Sequence, residues 1–270
     1  MHPHFSRLEN LAALPNGEKV VDCAVEDLHR DTAESVIAGR NVIAGYTRGW
    51  GLQFDILRSF VRKDPIFAES MHLTKGVQTV FETSLMNIFL IMKYGIKDRS
   101  GDFIEFGCYY GGSALFIANV ARRLGFTGTV YALDTFEGIP AAHETLDFHS
   151  VGEFEHLSFQ EMKAHFDKLG FTNLVPVKGR FEETAAGLLQ RSQKIFLAHI
   201  DCDTYSSTSY AITTVLPYMD PKSGYLVFDD SIQSTSLGAM QAVEEMIEAQ
   251  NLHAEQAYPH LVYRFPKLQQ

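Results

Sequence analysis

Apolar residues recur every three to four positions along 77–94 (VQTVFETSLMNIFLIMKY), a spacing that predicts a helix stopping near Gly95. From Gly101 the pattern changes: short apolar runs alternate with stretches of helical period. Residues 102–107 (DFIEFG), 129–134 (TVYALD), 174–177, 194–200 (KIFLAHI) and 224–228 (GYLVF) read as strands. Residues 113–124, 158–169, 206–218 and 236–249 read as helices, and 135–157 as a loop. Residues 253–258 and 261–265 suit an antiparallel hairpin around Pro259. Such alternation implies an α/β fold, with a mostly parallel sheet, right-handed crossovers and helices on both faces. Residues 1–75 show no strand alternation and are expected to form a helical cap or lid, with 76–270 as the main domain.

A length of 270 residues, 46 % of them hydrophobic, suits one large α/β domain with a small appendage. The net charge is −10; residues 1–100 hold 12 basic and 12 acidic side chains, so all of the excess (11 − 21) lies in 101–270. That argues against a nucleic-acid partner, which needs basic clusters to neutralise phosphates. It fits a small neutral or cationic ligand. Cys23, Cys108 and Cys202 show no zinc or redox spacing and read as free thiols of a reducing compartment. The first residues lack a signal-peptide core, and the apolar run 88–92 is too short to span a bilayer. A cytoplasmic protein without a membrane partner is expected.

Two of the expected strands end in acidic pairs. Asp201 and Asp203 follow the fourth; Asp229 and Asp230 follow the fifth, 28 residues after Asp201. The connection has about the length of one crossover helix, which makes the strands neighbours. Their carboxyl ends then face the ligand crevice of an open parallel sheet. Crowded carboxylates repel unless they share a proton or a cation, and a hard divalent cation with oxygen ligands resolves the conflict. Asp201, Asp229 and Asp230 form the candidate metal set. Asp203 is the candidate general base, since a cation lowers the pKa of a nearby hydroxyl. The competing readings make Asp203 a helix N-cap, with Thr204 and Ser206 as rivals, and Asp229-Asp230 a solvated strand end. Two pairs on adjacent strand ends favour the metal.

The turn from Glu105 to Ser113 carries Gly107, Tyr109, Gly111 and Gly112. Its spacing, G-x-x-x-G-G, is not the dinucleotide fingerprint, but it lets a ligand approach the backbone and the following helix N-terminus. Asp134, 27 residues after Gly107, sits where an acid accepts ribose hydroxyls in doubly wound sheets. Gly179-Arg180-Phe181 follows the third strand, where an adenine would rest; Phe181 and Tyr205 are aromatic walls or ordinary core residues. His199 reads as a hydrogen-bonded strand residue rather than a ligand. His143, His149 and His156 line a substrate mouth or decorate a polar loop.

Four stretches, IEFGCYYGGS at 104–113, LDTFEGIP at 133–140, HIDCDTYSST at 199–208 and GYLVFDD at 224–230, resemble in order and spacing the macrocin O-methyltransferase family, metal-dependent sugar O-methyltransferases of antibiotic biosynthesis. The resemblance implies a class I methyltransferase (Rossmann-like) fold with an added lid, using S-adenosylmethionine and Mg2+. Glu105, Gly107 and Gly111, with Tyr109 and Ser113 in the same turn, would shape the methionine pocket. Asp134 would hold the ribose, and Gly179 and Phe181 would lie against the adenine. Asp201, Asp229 and Asp230 would bind magnesium, with Asp203 as base toward a sugar hydroxyl of a glycosylated natural product. A homo-oligomer, first of all a dimer, is implied. The chain departs from the family in Phe106 (usually Thr), in Tyr109-Tyr110 (usually Trp-Arg) and in Asp201-Cys202-Asp203-Thr204-Tyr205-Ser206 (usually D-G-D-L-Y-E). The acids survive; the cofactor contacts and the substrate differ most. A catechol-directed metal-dependent methyltransferase and a non-catalytic binding module are the alternatives.

Overall fold

A computed structural model of the chain describes residues 60–250 except 156–157, 193 and 231–234, and the backbone of four short strands, Val36–Ile37, Arg40–Asn41, His253–Gln256 and Leu261–Arg264. Most of the expected 1–75 cap lies outside the described residues. Its described end, helix α1 (Pro65–Leu73), starts at Asp64, whose carboxylate accepts from the Ile66 amide. Phe67 of this helix meets Phe89 and Phe116 edge to face, with ring centroids 5.5 Å apart in both pairs. This helix therefore shares the main core.

Seven strands form one sheet: β1 (Asp102–Phe106), β2 (Val130–Asp134), β3 (Leu174–Lys178), β4 (Ile195–Ile200), β5 (Tyr225–Phe228), β6 (His253–Gln256) and β7 (Leu261–Arg264). Their order is β3-β2-β1-β4-β5-β7-β6. The first five are parallel, and β7 runs antiparallel to β5 and β6. This is the mostly parallel sheet expected from the strand–helix alternation, and it agrees with the class I methyltransferase fold that the family resemblance implies.

Alternate residues of each strand feed two cores, because side chains of a strand point to opposite faces. Phe103, Val130, Ala132 and Val227 join α1, α2 (Glu82–Leu90) and α3 (Gly112–Leu124) on one face. Ile104, Leu133, Ala198 and Phe228 join α5 (Phe181–Ser192), α6 (Tyr205–Val215) and α7 (Leu237–Gln250) on the other. Helix α4 (Phe159–Lys168) adds Met162 and Phe166 to the first core and opens with a capping box between Ser158 and Glu161.

Three elements differ from the sequence expectation. The short antiparallel strands Val36–Ile37 and Arg40–Asn41 lie in the stretch expected to be a helical cap. The helix expected from residue 77 begins at Glu82 and widens into a π turn over Ile91–Gly95. Gly76 turns the chain at φ 93° beforehand, and Thr79 and Val80 go to the cavity wall instead. Helix α5 is an addition. Only Ala185, Leu188 and Leu189 of it are buried, and Gly187 interrupts its pattern, so its apolar stripe is short.

The sheet order reverses between β1 and β4, the position where open α/β sheets bind ligands. Gly107 makes this junction possible: at φ 82°, a Cβ on it would lie 1.8 Å from the Asp201 carbonyl oxygen. Left-handed strain and a backbone clash act together there. Gly107→Ala is expected to destabilise the fold by roughly 3 kcal/mol or more in urea unfolding; a loss below about 1 kcal/mol would show that β1 and β4 need no such approach.

Candidate active site

The strand ends set the chemistry at one level. Asp201 donates its amide to Phe106 (2.9 Å) and Asp229 donates its amide to Ile200 (3.1 Å), so Gly107, Asp201 and Asp229 follow directly on paired positions. A cavity of about 330 Å³ opens there, lined by Gly107, Tyr109, Asp134, Phe181, Asp201, Asp203, Asp229 and Asp230 among others.

Asp201, Asp229 and Asp230 each present a carboxylate oxygen within 4.8 Å of the other two. Asp230 is fixed in place: one oxygen accepts from the Cys202 and Asp203 amides (3.0 and 2.8 Å), and the other from the Ser236 hydroxyl (3.1 Å). Burial and the charge of Asp229 push the Asp230 carboxyl up to about 6, against the pull of those donors. Burial, then Asp229, Asp230 and Asp203, hold Asp201 well above the usual carboxylate range. Asp203 is raised by burial and by Asp230 and Asp229.

Asp203 is not a helix cap. The N-cap of α6 is Thr204, without a side-chain capping bond, and the Tyr205 amide donates instead to Asp147 (2.7 Å). Asp203 takes φ 60°, a left-handed conformation that aspartate tolerates, with its side chain at the cavity.

Asp134 accepts from the Tyr109 amide (2.8 Å) and the Phe136 amide (2.9 Å), so it ties the glycine turn to its own loop. Burial raises its carboxyl against those two bonds. The Phe181 ring stands edge-on to Phe106, 5.2 Å between centroids. Glu105, Gly111, Ser113 and Gly179, expected at the cofactor, are not among the lining residues. Glu105 is fully buried behind the wall, paired with His199 (2.7 Å), its direct neighbour in register across β1 and β4. Burial alone would depress the His199 imidazole; the bond and charge of Glu105, with Asp229 and Asp230, raise it instead. Gly111 is a packing glycine: a Cβ there would lie 2.5 Å from the Phe166 ring. Ser113 is buried inside the first turn of α3. Gly179 donates its amide to the Asp134 carbonyl (3.0 Å) and turns the chain away at φ 141°.

Thr79, Ile139, His149, Phe154, Glu182 and Ser207 line the cavity without having been placed there from sequence as site residues. His149 carried a signal, being one of three loop histidines read as lining a substrate mouth or decorating a polar loop, and Ile139 and Ser207 lie in stretches that carry the family resemblance; Thr79, Phe154 and Glu182 carried none. Tyr205 is not a wall: its hydroxyl donates to Glu245 (2.8 Å). Cys108 and Cys202 are buried free thiols, while Cys23 lies outside the described residues. Among the described residues no helix is long and apolar enough to cross a membrane.

The raised carboxyls bind protons more tightly folded than unfolded, so their contribution favours the fold at low pH and falls away as pH rises, for Asp230 through about 6. The cation-free protein is expected to melt lower at pH 8 than at pH 5, and magnesium to raise Tm more at pH 8. Asp229→Asn relieves the repulsion: it should raise the cation-free Tm at pH 8 by roughly 2–4 °C and abolish the magnesium response. A magnesium response as large in the variant as in the parent would contradict the assignment.

The sequence profile of the Macrocin-O-methyltransferase (TylF) family matches residues 58–258. A curated relative from Streptomyces olivaceus, 8-demethyl-8-(2,3-dimethoxy-alpha-L-rhamnosyl)-tetracenomycin-C 4'-O-methyltransferase, is 27 % identical over 140 residues, 48 % of this chain. The aligned part spans about half (52 %) of that relative's length. Two solved structures share the fold at 19 % identity. The O-methyltransferase NovP gives a TM-score of 0.58 over 78 % of this chain and 95 % of its own. The calicheamicin methyltransferase CalS11 gives 0.57 over 79 % and 98 %. With the profile running through every strand that carries the site, the chain belongs to the macrocin O-methyltransferase family.

Proposed function

We propose that this protein transfers a methyl group from S-adenosylmethionine to a sugar hydroxyl of a glycosylated small molecule, with Mg2+ held by Asp201, Asp229 and Asp230. The observation that carries the reading is the acidic cluster: three carboxylates within 4.8 Å and a fourth, Asp203, on the same cavity. A binding module gains nothing from such repulsion. Hard oxygen donors at this spacing fit magnesium. The fit to the cofactor rests on Asp134 at the end of β2 and on the switch point between β1 and β4. The sugar acceptor is supported by the name of the tetracenomycin relative.

S-adenosylmethionine would supply an electrophilic methyl on a sulfonium. Magnesium would acidify an acceptor hydroxyl and help to fix its position. The chain's own residues then act as follows. Asp134 accepts hydrogen bonds from the ribose, and Phe181 walls the adenine side. Asp203 takes the hydroxyl proton as the oxygen attacks. Asp201, Asp229 and Asp230 hold the cation, Asp230 being kept in place by its three donors. Positioning supplies much of the rate in a transfer of this kind. The protein would assemble as a dimer.

Mass-spectrometric assay of methyl transfer to rhamnosylated polyketides and to catechols separates the sugar reading from the catechol one. Product on the sugar alone is expected. Asp203→Asn should retain binding of S-adenosylhomocysteine and magnesium while kcat falls roughly 10²–10⁴-fold; full turnover in that variant would remove Asp203 from the base role.

A further inference from the structure

Methyl transfer from a sulfonium to a hydroxyl forms one O–C bond and breaks one S–C bond. The sulfur keeps the electron pair, and one proton is released for every methyl moved. Once Asp203 has taken that proton, the proton needs an acceptor, and the nearest carboxylates of the cluster, Asp229 and Asp230, are buried. The loop between β2 and α4 reaches across to this point. His149 lines the cavity, its ring packed against Phe148 and Phe154 with centroids 5.7 and 5.1 Å away. Its Nδ1 lies 2.7 Å from Glu153 Oε2 and its Nε2 lies 3.8 Å from Asp203 Oδ1. The His149 side chain is 13 % exposed and that of Glu153 is 44 % exposed, so the chain of three runs from the cavity to solvent.

We propose that His149 is a further catalytic residue of this reaction, receiving on Nε2 the proton that Asp203 removes from the acceptor, with Glu153 as the positioning residue that fixes its tautomer. A carboxylate on Nδ1 requires the ring proton there, which leaves Nε2, 3.8 Å from Asp203 Oδ1, free to accept a proton. After transfer the imidazolium lies between two carboxylates, Glu153 from its own loop and Asp203 from the loop after β4. Both lie within ion-pair reach of the ring. Loss of the Nε2 proton to water once the product has left restores the Nδ1–H tautomer held by Glu153 and resets the site.

The inference rests on the methyltransferase reading, so its test has one arm that needs no turnover. Long-range ¹⁵N–¹H NMR of the protein bound to S-adenosylhomocysteine, with the His149 signal assigned from H149Q, should show the proton on Nδ1 at pH 8. It should move toward Nε2 in Glu153→Gln. A proton on Nε2 in the parent would overturn the proposal. In the second arm, using a rhamnoside that the parent methylates, His149→Ala should lower kcat about 10²-fold with little change in the acceptor KM. Added imidazole should restore a good part of the rate. Full turnover in His149→Ala, or a loss that imidazole leaves untouched while S-adenosylhomocysteine still binds, would also overturn it. A parent that methylates neither sugars nor catechols sinks the function proposed above instead, and leaves the tautomer result to judge His149.

Discussion

Asp201, Asp229 and Asp230 bring carboxylate oxygens within 4.8 Å of one another, and two of the three side chains are buried, so water screens them poorly. Much of the surrounding structure bears on that repulsion. Gly107 lets β1 approach the Asp201 backbone and so fixes the level at which the acids emerge. The Cys202 and Asp203 amides and the Ser236 hydroxyl stop Asp230 from turning away. Beneath the cluster, the buried pair of Glu105 and His199 bonds β1 to β4, and the imidazole's affinity for its proton is raised partly by Asp229 and Asp230. A site of this kind favours a cation, and it also raises the proton affinity of Asp203.

Where apolar runs were buried on both faces, the sequence was easy to read. β1, β2, β4 and β5 stand out because both cores need their side chains, while edge strand β3 buries only Leu174, and the two acidic pairs stand out because each ends such a run. Helix α5 was harder: three buried residues and a central glycine leave a stripe too short to read. The start of α2 was misplaced because Val77 and Val80 continue the apolar period while the backbone is still extended at Phe81 (φ −59°, ψ 143°).

Side-chain roles decided by distant partners were not legible. Glu105 looks like a pocket acid until β4 places His199 against it, 94 positions away. The capping alternative to the base reading of Asp203 falls only when Asp147 is found supplying the acceptor for the Tyr205 amide from 58 positions upstream. Gly111 and Gly179 look like ligand glycines, yet one makes room for Phe166 and the other turns the chain after β3. In each case the residue type was read correctly, and its partner depended on how the loops fold over the sheet.

The most direct test of the account is calorimetric titration of magnesium into the metal-stripped protein saturated with S-adenosylhomocysteine. The account predicts one magnesium site, lost in Asp229→Ala while S-adenosylhomocysteine still binds. Cofactor binding with no magnesium heat, or magnesium heat unchanged in Asp229→Ala, would contradict the assignment of the acidic cluster as a metal site.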